Sequence, residues 1–249
     1  MLAERLQVIE PKEKVAGVSP QWLAGVFEIA GGMGFSTYES KGNYYAYPYV
    51  HFTDKDQVLI NLFRRTFGGR VIYKDTSSEW RIEGESALAV AETLGKFAPS
   101  RREMVSLFFK WEEATVEERV EVAREITASY RTGVDDSDYY HLVVDPEFVA
   151  GVVDARGSFY AKPEGGPRIN SRQFIIASRN IDLMEALRSL YGGNIYYRER
   201  ESRKEEGDNM EIWNWTISKK GDMINLLVFC HFHLRKKDPA ISPVLQGLN

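Results

Sequence analysis

The sequence predicts an α+β fold, a pseudo-twofold tandem repeat of an αββαββα unit whose antiparallel sheets form a saddle with the helices on one face. Three observations lead there. Ser19 to Gly31, SPQWLAGVFEIAG, returns as Asp145 to Gly157, DPEFVAGVVDARG, with Pro, Ala-Gly-Val, an acid and the final Gly at matched positions. A helical pattern ending in Gly68-Gly69 recurs as one ending in Gly192-Gly193. Val71-Ile72-Tyr73 and Trp80 then find partners in Ile195-Tyr196-Tyr197 and Trp215. A repeat this long decides the architecture before any single element does.

In chain order, Ser19-Pro20 and Asp145-Pro146 each pair a capping side chain with a proline at the first helical position, so both stretches start helices. Phe35–Ser40 and Tyr44–Phe52 read as strands around a Lys-Gly-Asn turn, being rich in aromatic and β-branched residues. Asp54 to Phe67 places Val58, Leu59, Leu62 and Phe63 at helical spacing, and Gly68-Gly69 ends that helix. A hairpin over Arg70–Lys74 and Glu79–Glu83 follows, then a helix from about Glu85 to Phe97 with Leu88, Ala91 and Leu94 inward. The second half repeats the order, with Leu183, Met184, Leu187 and Leu190 inward and an insertion around Arg198 to Asn209. These patterns divide the chain into an extension (1–18), a first repeat (19–110), an acidic helical linker (111–144) and a second repeat (145–249).

With 249 residues, 43% of them hydrophobic and 27% charged, the chain can bury a sizeable core. No apolar run reaches the roughly 18 residues of a membrane span, and the amino terminus lacks a signal-peptide core, so an intracellular location, cytoplasm or nucleoid, is expected. One cysteine, Cys230, excludes an intramolecular disulfide, and the four histidines lack zinc-type spacing. The net charge of −4 is unevenly spread: Glu112 to Asp138 holds nine acids against three bases, which leaves the remainder slightly basic. A nucleic-acid partner is thus compatible with the composition.

Both Ser19–Gly31 and Asp145–Gly157 resemble the signature of the LAGLIDADG homing endonucleases, aligned as Leu23 to Gly31 and Val149 to Gly157, with Trp22, Phe148 and Ser158-Phe159 also matching. The resemblance covers the chain from Ser19 to about Pro243. It implies that Ala24-Gly25 and Ala150-Gly151 form a close helix interface, and that the free sheet faces lie in the DNA major groove, wide enough for a β-ribbon. Candidate contacts are Tyr38, Lys41, Tyr45, Tyr47, Arg70 and Lys74 in the first half. In the second they are Lys162, Arg168, Asn170, Arg172, Tyr196, Arg198 and Arg200, with Arg168, Asn170 and Arg172 expected on one side of their strand.

Active members carry a metal-binding acid at the eighth motif position, and here Ala30 and Arg156 stand there. Metal-assisted phosphodiester cleavage needs anionic oxygen ligands, and a guanidinium stays protonated. The expected function is therefore nucleic-acid binding without cleavage, as a DNA regulator or RNA-splicing maturase, acting as a monomer with no cofactor. The alternatives are an active Mg2+-dependent endonuclease using Glu28 and Asp154, or a protein-interaction module on the same fold. Basic Arg101, Arg102, Lys236 and Lys237 resemble the family's basic positions and, without the acids, are expected to meet phosphate. If Gly25 and Gly151 permit helix contact, Gly25→Leu or Gly151→Leu lowers stability by more than the roughly 1–3 kcal/mol of ordinary overpacking. Denaturant unfolding of the two variants checks this, and unchanged midpoints for both contradict it.

Overall fold

The computed structural model describes residues 18–129, 137–163, 169–200 and 210–236. The chain divides between residues 133 and 134 into two compact units. In the first, α1 (Pro20–Ala30), β1 (Gly31–Ser40), β2 (Asn43–Asp54), α2 (Gln57–Phe67), β3 (Arg70–Lys74), β4 (Ser77–Glu83) and α3 (Glu85–Gly95) precede a short 3-10 turn, α4 (Arg102–Glu113) and α5 (Val116–Ser129). The second holds α6 (Ser137–Tyr140), α7 (Pro146–Arg156), β5 (Ser158–Pro163), β6 (Ile169–Ser178), α8 (Ile181–Tyr191), β7 (Asn194–Arg200), β8 (Met210–Ile217) and α9 (Lys220–Cys230). The order αββαββα thus occurs twice, and each unit has a four-stranded antiparallel sheet, ordered β1-β2-β4-β3 in the first and β5-β6-β8-β7 in the second. Among the described residues no helix is long and apolar enough to cross a membrane.

The two motif helices begin as their sequences dictate. Ser19 Oγ accepts the Trp22 N–H (3.1 Å), and Asp145 Oδ1 accepts those of Glu147 and Phe148 (2.8 and 3.2 Å). Trp22 through Glu28 and Phe148 through Ala155, including Ala24, Gly25, Ala150 and Gly151, are buried. A helix buried on all sides is a core element rather than a surface one.

The core of each unit lies between these helices and one sheet face. Val50, Phe52, Trp80 and Ile82 line it in the first unit, and Phe174, Ile176, Trp215 and Ile217 in the second. Trp80 Nε1–H donates to Gly68 O (2.8 Å) and Trp215 Nε1–H to Gly192 O (2.9 Å), the same bond in both units. The glycine pairs permit it: Gly68, Gly69, Gly192 and Gly193 all have positive φ. A Cβ on Gly69 or Gly193 would stand 2.6 Å from the carbonyl oxygen of Arg81 or Thr216.

Several expectations shift by a few residues. Helix α2 starts at Gln57, not Asp54, because β2 runs on to Asp54 and Asp56 caps the helix through Val58 N–H (2.9 Å). Its buried face is Leu59, Ile60 and Phe63, with Val58 exposed. On α8, Leu190 is exposed and Tyr191 is buried instead, its hydroxyl donating to Val143 O (2.7 Å). The strand expected from Phe35 begins at Gly31, directly after α1, and α3 ends at Gly95. The helix that leads into the acidic linker also contributes to packing: α4 buries Met104, Phe108 and Trp111, and Trp111 Nε1–H donates to Ala46 O (2.8 Å).

If the indole bonds hold helix to sheet equally in both units, Trp80→Phe and Trp215→Phe each cost about 1–3 kcal/mol, from the lost hydrogen bond and the space left by the smaller ring. Urea unfolding of both variants measures this, and a large cost for one with none for the other contradicts equivalence.

Candidate nucleic-acid interface

Residues paired across an antiparallel ladder share a sheet face. In the first unit the register pairs Tyr38 with Tyr45, Ser36 with Tyr47, Tyr49 with Glu83, His51 with Arg81, and Arg70 with Arg81. These positions alternate with the buried Val50, Phe52, Trp80 and Ile82, so they form the face away from the core. Tyr38, Tyr45, Tyr47, Arg70 and Lys74 therefore lie on one surface, with Lys41 at the β1–β2 turn. Sequence reasoning omitted Tyr49, His51, Glu79, Arg81 and Glu83 from that surface. Their period-two spacing, Tyr45-Tyr47-Tyr49-His51 and Glu79-Arg81-Glu83, was the available signal.

The two glutamates change the electrostatics. Lys74 Nζ donates to Glu79 (2.5 Å) and Arg70 Nη2 to Glu83 (3.1 Å). Arg81 pairs with both, at 2.7 Å to Glu83 and 3.8 Å to Glu79, while its Nη2 donates to Ser36 and its guanidinium lies 3.8 Å over the Tyr49 ring. Every cation on the strands of this face thus has a carboxylate partner. Glycines make room beside them: a Cβ on Gly32 would meet the His51 ring at 2.5 Å, and one on Gly34 the Tyr49 hydroxyl at 2.8 Å.

Burial pushes the His51 pKa down; Glu79 opposes that shift, while Arg81, Lys74 and Arg101 add to it. For Glu79 burial acts upward, but the Lys74 hydrogen bond and the charges of His51, Lys74 and Arg81 outweigh it, and the carboxyl is held below its usual range.

In the second unit Phe174, Ile176, Trp215 and Ile217 mark the core side, and Tyr196 (opposite Asn214) and Arg198 (opposite Ile212) point the other way, both exposed. Where the first unit sets Glu79 and Arg81 on its face, the second sets the neutral Asn214 and Thr216. Arg172 corrects the expectation. It shares its strand side with Phe174 and Ile176, is partly buried, and its Nε is buried without a hydrogen-bond partner among the described residues. Alternation groups residues by side but does not say which side is core. Arg168 and Lys237 lie outside the described residues, as do the side chains of Lys162, Asn170 and Arg200.

Helices α1 and α7 end at Ala30 and Arg156, and Arg156 is exposed. Glu28 and Asp154, two residues earlier, are 2% and 0% exposed. Both Asp154 oxygens accept backbone N–H groups, from Arg235 (2.6 Å) and Lys236 (2.9 Å). Arg101, expected to meet phosphate, caps α1 instead: its Nη2 donates to Gly31 O (2.8 Å) and Glu28 O (3.4 Å), where a helix end favours a cation. Among the described residues no three His, Cys, Asp or Glu side chains gather as a ligand set. Divalent ions require anionic oxygens, which neither Ala30 nor Arg156 offers. Thiol chemistry is also disfavoured, since burial, with Asp154 nearby, pushes the Cys230 thiol up to about 12.

No protein-family model matches the chain, and no curated protein sequence does. Solved structures do. The LAGLIDADG homing endonuclease I-GzeII in complex with its DNA target is similar over 92% of this chain and 91% of its own, with 14% identity and a TM-score of 0.63. The meganuclease I-SmaMI bound to uncleavable DNA matches over 93% of both chains at 17% identity and a TM-score of 0.65, and it is also known bound to uncleaved DNA in the presence of calcium ions. I-AabMI bound to uncleaved DNA matches over 92% of both chains at 17% identity, with a TM-score of 0.60. The chain therefore has the LAGLIDADG homing-endonuclease fold.

The ion-pair face carries a pH dependence. Below about pH 6.5 the unfolded chain protonates His51 while the folded chain resists, so stability falls with pH through that window. The Glu79 contribution is lost later, as pH falls below the ordinary carboxylate range. Denaturant unfolding from about pH 7.5 to about pH 5 is expected to show this decline, with a shallower slope for His51→Gln. Equal slopes contradict it.

Proposed function

We propose that this chain binds duplex DNA as a monomer, through the free faces of its sheets, and does not cut it. It acts as a DNA regulator or, with structured RNA as ligand, as a splicing maturase. The observation that carries the reading is the pair of helix ends, which finish on Ala30 and Arg156 where a metal-dependent nuclease needs carboxylates. Solved proteins of the same fold hold DNA. Here the free face of the second sheet presents Tyr196 and Arg198 without carboxylate partners among the described residues, so it supplies most of the grip.

On such a surface Arg198 serves either as a base reader, worth about 1–3 kcal/mol, or as a phosphate contact worth about one unit of salt slope. Arg70, Lys74 and Arg81 contribute less, because meeting DNA means leaving Glu79 and Glu83. Arg156, exposed at the end of α7, suits a phosphate far better than a dication.

The test starts from a duplex selected by binding. The unmodified chain is expected to leave it intact in magnesium, and Arg198→Ala to weaken binding or flatten its salt slope while Lys74→Ala changes little. Ala30→Asp with Arg156→Asp is expected to gain magnesium binding, with either single change gaining less. Efficient cleavage by the unmodified chain, lost in Glu28→Gln or Asp154→Asn with folding intact, overturns the reading. A folded chain indifferent to duplex and to structured RNA at low salt points to the protein-interaction module.

A further inference from the structure

We infer that the tyrosine row on the first sheet is a stacking platform for the unpaired bases of single-stranded nucleic acid, an inference that rests on the nucleic-acid reading above. Tyr38 lies 5.2 Å from Tyr45 with the rings 22° apart, and 5.7 Å from Tyr47 with the rings 6° apart. Tyr38 and Tyr47 are 49% and 37% exposed, which is unusual for three large rings held nearly parallel. Two ring centroids less than 6 Å apart leave no room for a base between them, since stacked bases sit about 3.4 Å apart. A base therefore stacks on the open side of the row.

The row is buttressed rather than loose. Trp111 stands 6.2 Å from Tyr47, its indole N–H anchored on Ala46 O. Arg119 lies 4.3 Å over the Trp111 ring, with Nε donating to the Trp111 carbonyl (3.1 Å). The next ring of the row already takes a planar partner, the Arg81 guanidinium over Tyr49. A preformed surface of this kind binds without paying to order its own side chains.

The chemistry selects the ligand. A duplex keeps its bases stacked and offers edges and phosphates, which call for free donors, and on this face Arg70, Lys74 and Arg81 are engaged by Glu79 and Glu83. A single strand offers π-faces, which tyrosine takes regardless of base identity. Its phosphates find Lys41, exposed at the hairpin turn with no ion pair among the described residues. The second unit has no such row: aligned on Phe52 and Ile176, the strand positions of Tyr45, Tyr47 and Tyr49 hold Ile169, Ser171 and Gln173. The platform is therefore a property of the first unit alone.

The experiment titrates the full chain against a fluorescein-labelled oligothymidylate of about 16 nucleotides and, separately, against a duplex selected by binding. Tyr38→Ala and Tyr47→Ala are expected to weaken single-strand binding about five- to 150-fold, with Tyr38→Phe within about twofold of the parent and both alanine variants still unfolding in one cooperative transition. Duplex affinity is expected to fall far less than single-strand affinity, because the duplex keeps its bases stacked and the second sheet supplies most of its grip. Duplex binding without single-strand binding by the parent, or single-strand binding untouched by both alanine changes, overturns this inference and leaves the proposed function standing. Equal weakening of duplex and single strand also overturns it. Failure of the parent to bind either ligand fails the proposed function itself.

Discussion

A buried tryptophan donating its indole N–H to the carbonyl that ends a helix is the contact on which each unit depends. Trp80 and Trp215 are fully enclosed, and an unpaired N–H at such depth is costly. Gly68 and Gly192 supply the acceptors. The bond ties the third and fourth strands to the helix before them, and with it the register of the sheet. Register matters because a slip of one residue exchanges the faces: Glu79 and Arg81 would enter the core and Trp80 would leave it. The surface offered to a ligand is thus set by a contact on the opposite side of the sheet.

Given that register, the two faces differ in chemistry although they share topology. The first carries three cations, two glutamates and a tyrosine row, and its charges are spent on one another. The second carries neutral residues at the matching β8 positions, leaving Arg198 to act outward. The motif helices diverge from a nuclease in the same local manner. Arg101 reaches the carbonyls of Glu28 and Gly31, so a cation stands at the end of α1, and Asp154 is consumed by two backbone N–H groups. Both arrangements stabilise the ends of the elements they touch.

Much of this was legible in the sequence because it is periodic or repeated. The capped motif helices, the glycine pairs and the inward face of α3 follow from local rules that nothing distant overrides. The start of α2 was missed because Asp54 continues a strand, a choice made by pairing with Ser78 on β4 rather than by local propensity. Arg172 was misplaced because alternation is blind to which side is core. The capture of Arg101 at the end of α1 links residues 70 and 73 positions apart, and no pattern in the chain announces it. Glu79 and Glu83 were visible in alternation with Arg81, but their pairing across strands required the register.

The central claim is that this fold grips nucleic acid with its chemistry silent. A randomised duplex pool incubated with the full chain, once with magnesium and once with a chelator, tests it most directly when bound and cut molecules are both sequenced. The account predicts the same enriched sequences in both conditions, recovered at full length. Cut ends that appear only with magnesium, at one position within an enriched sequence, would contradict it.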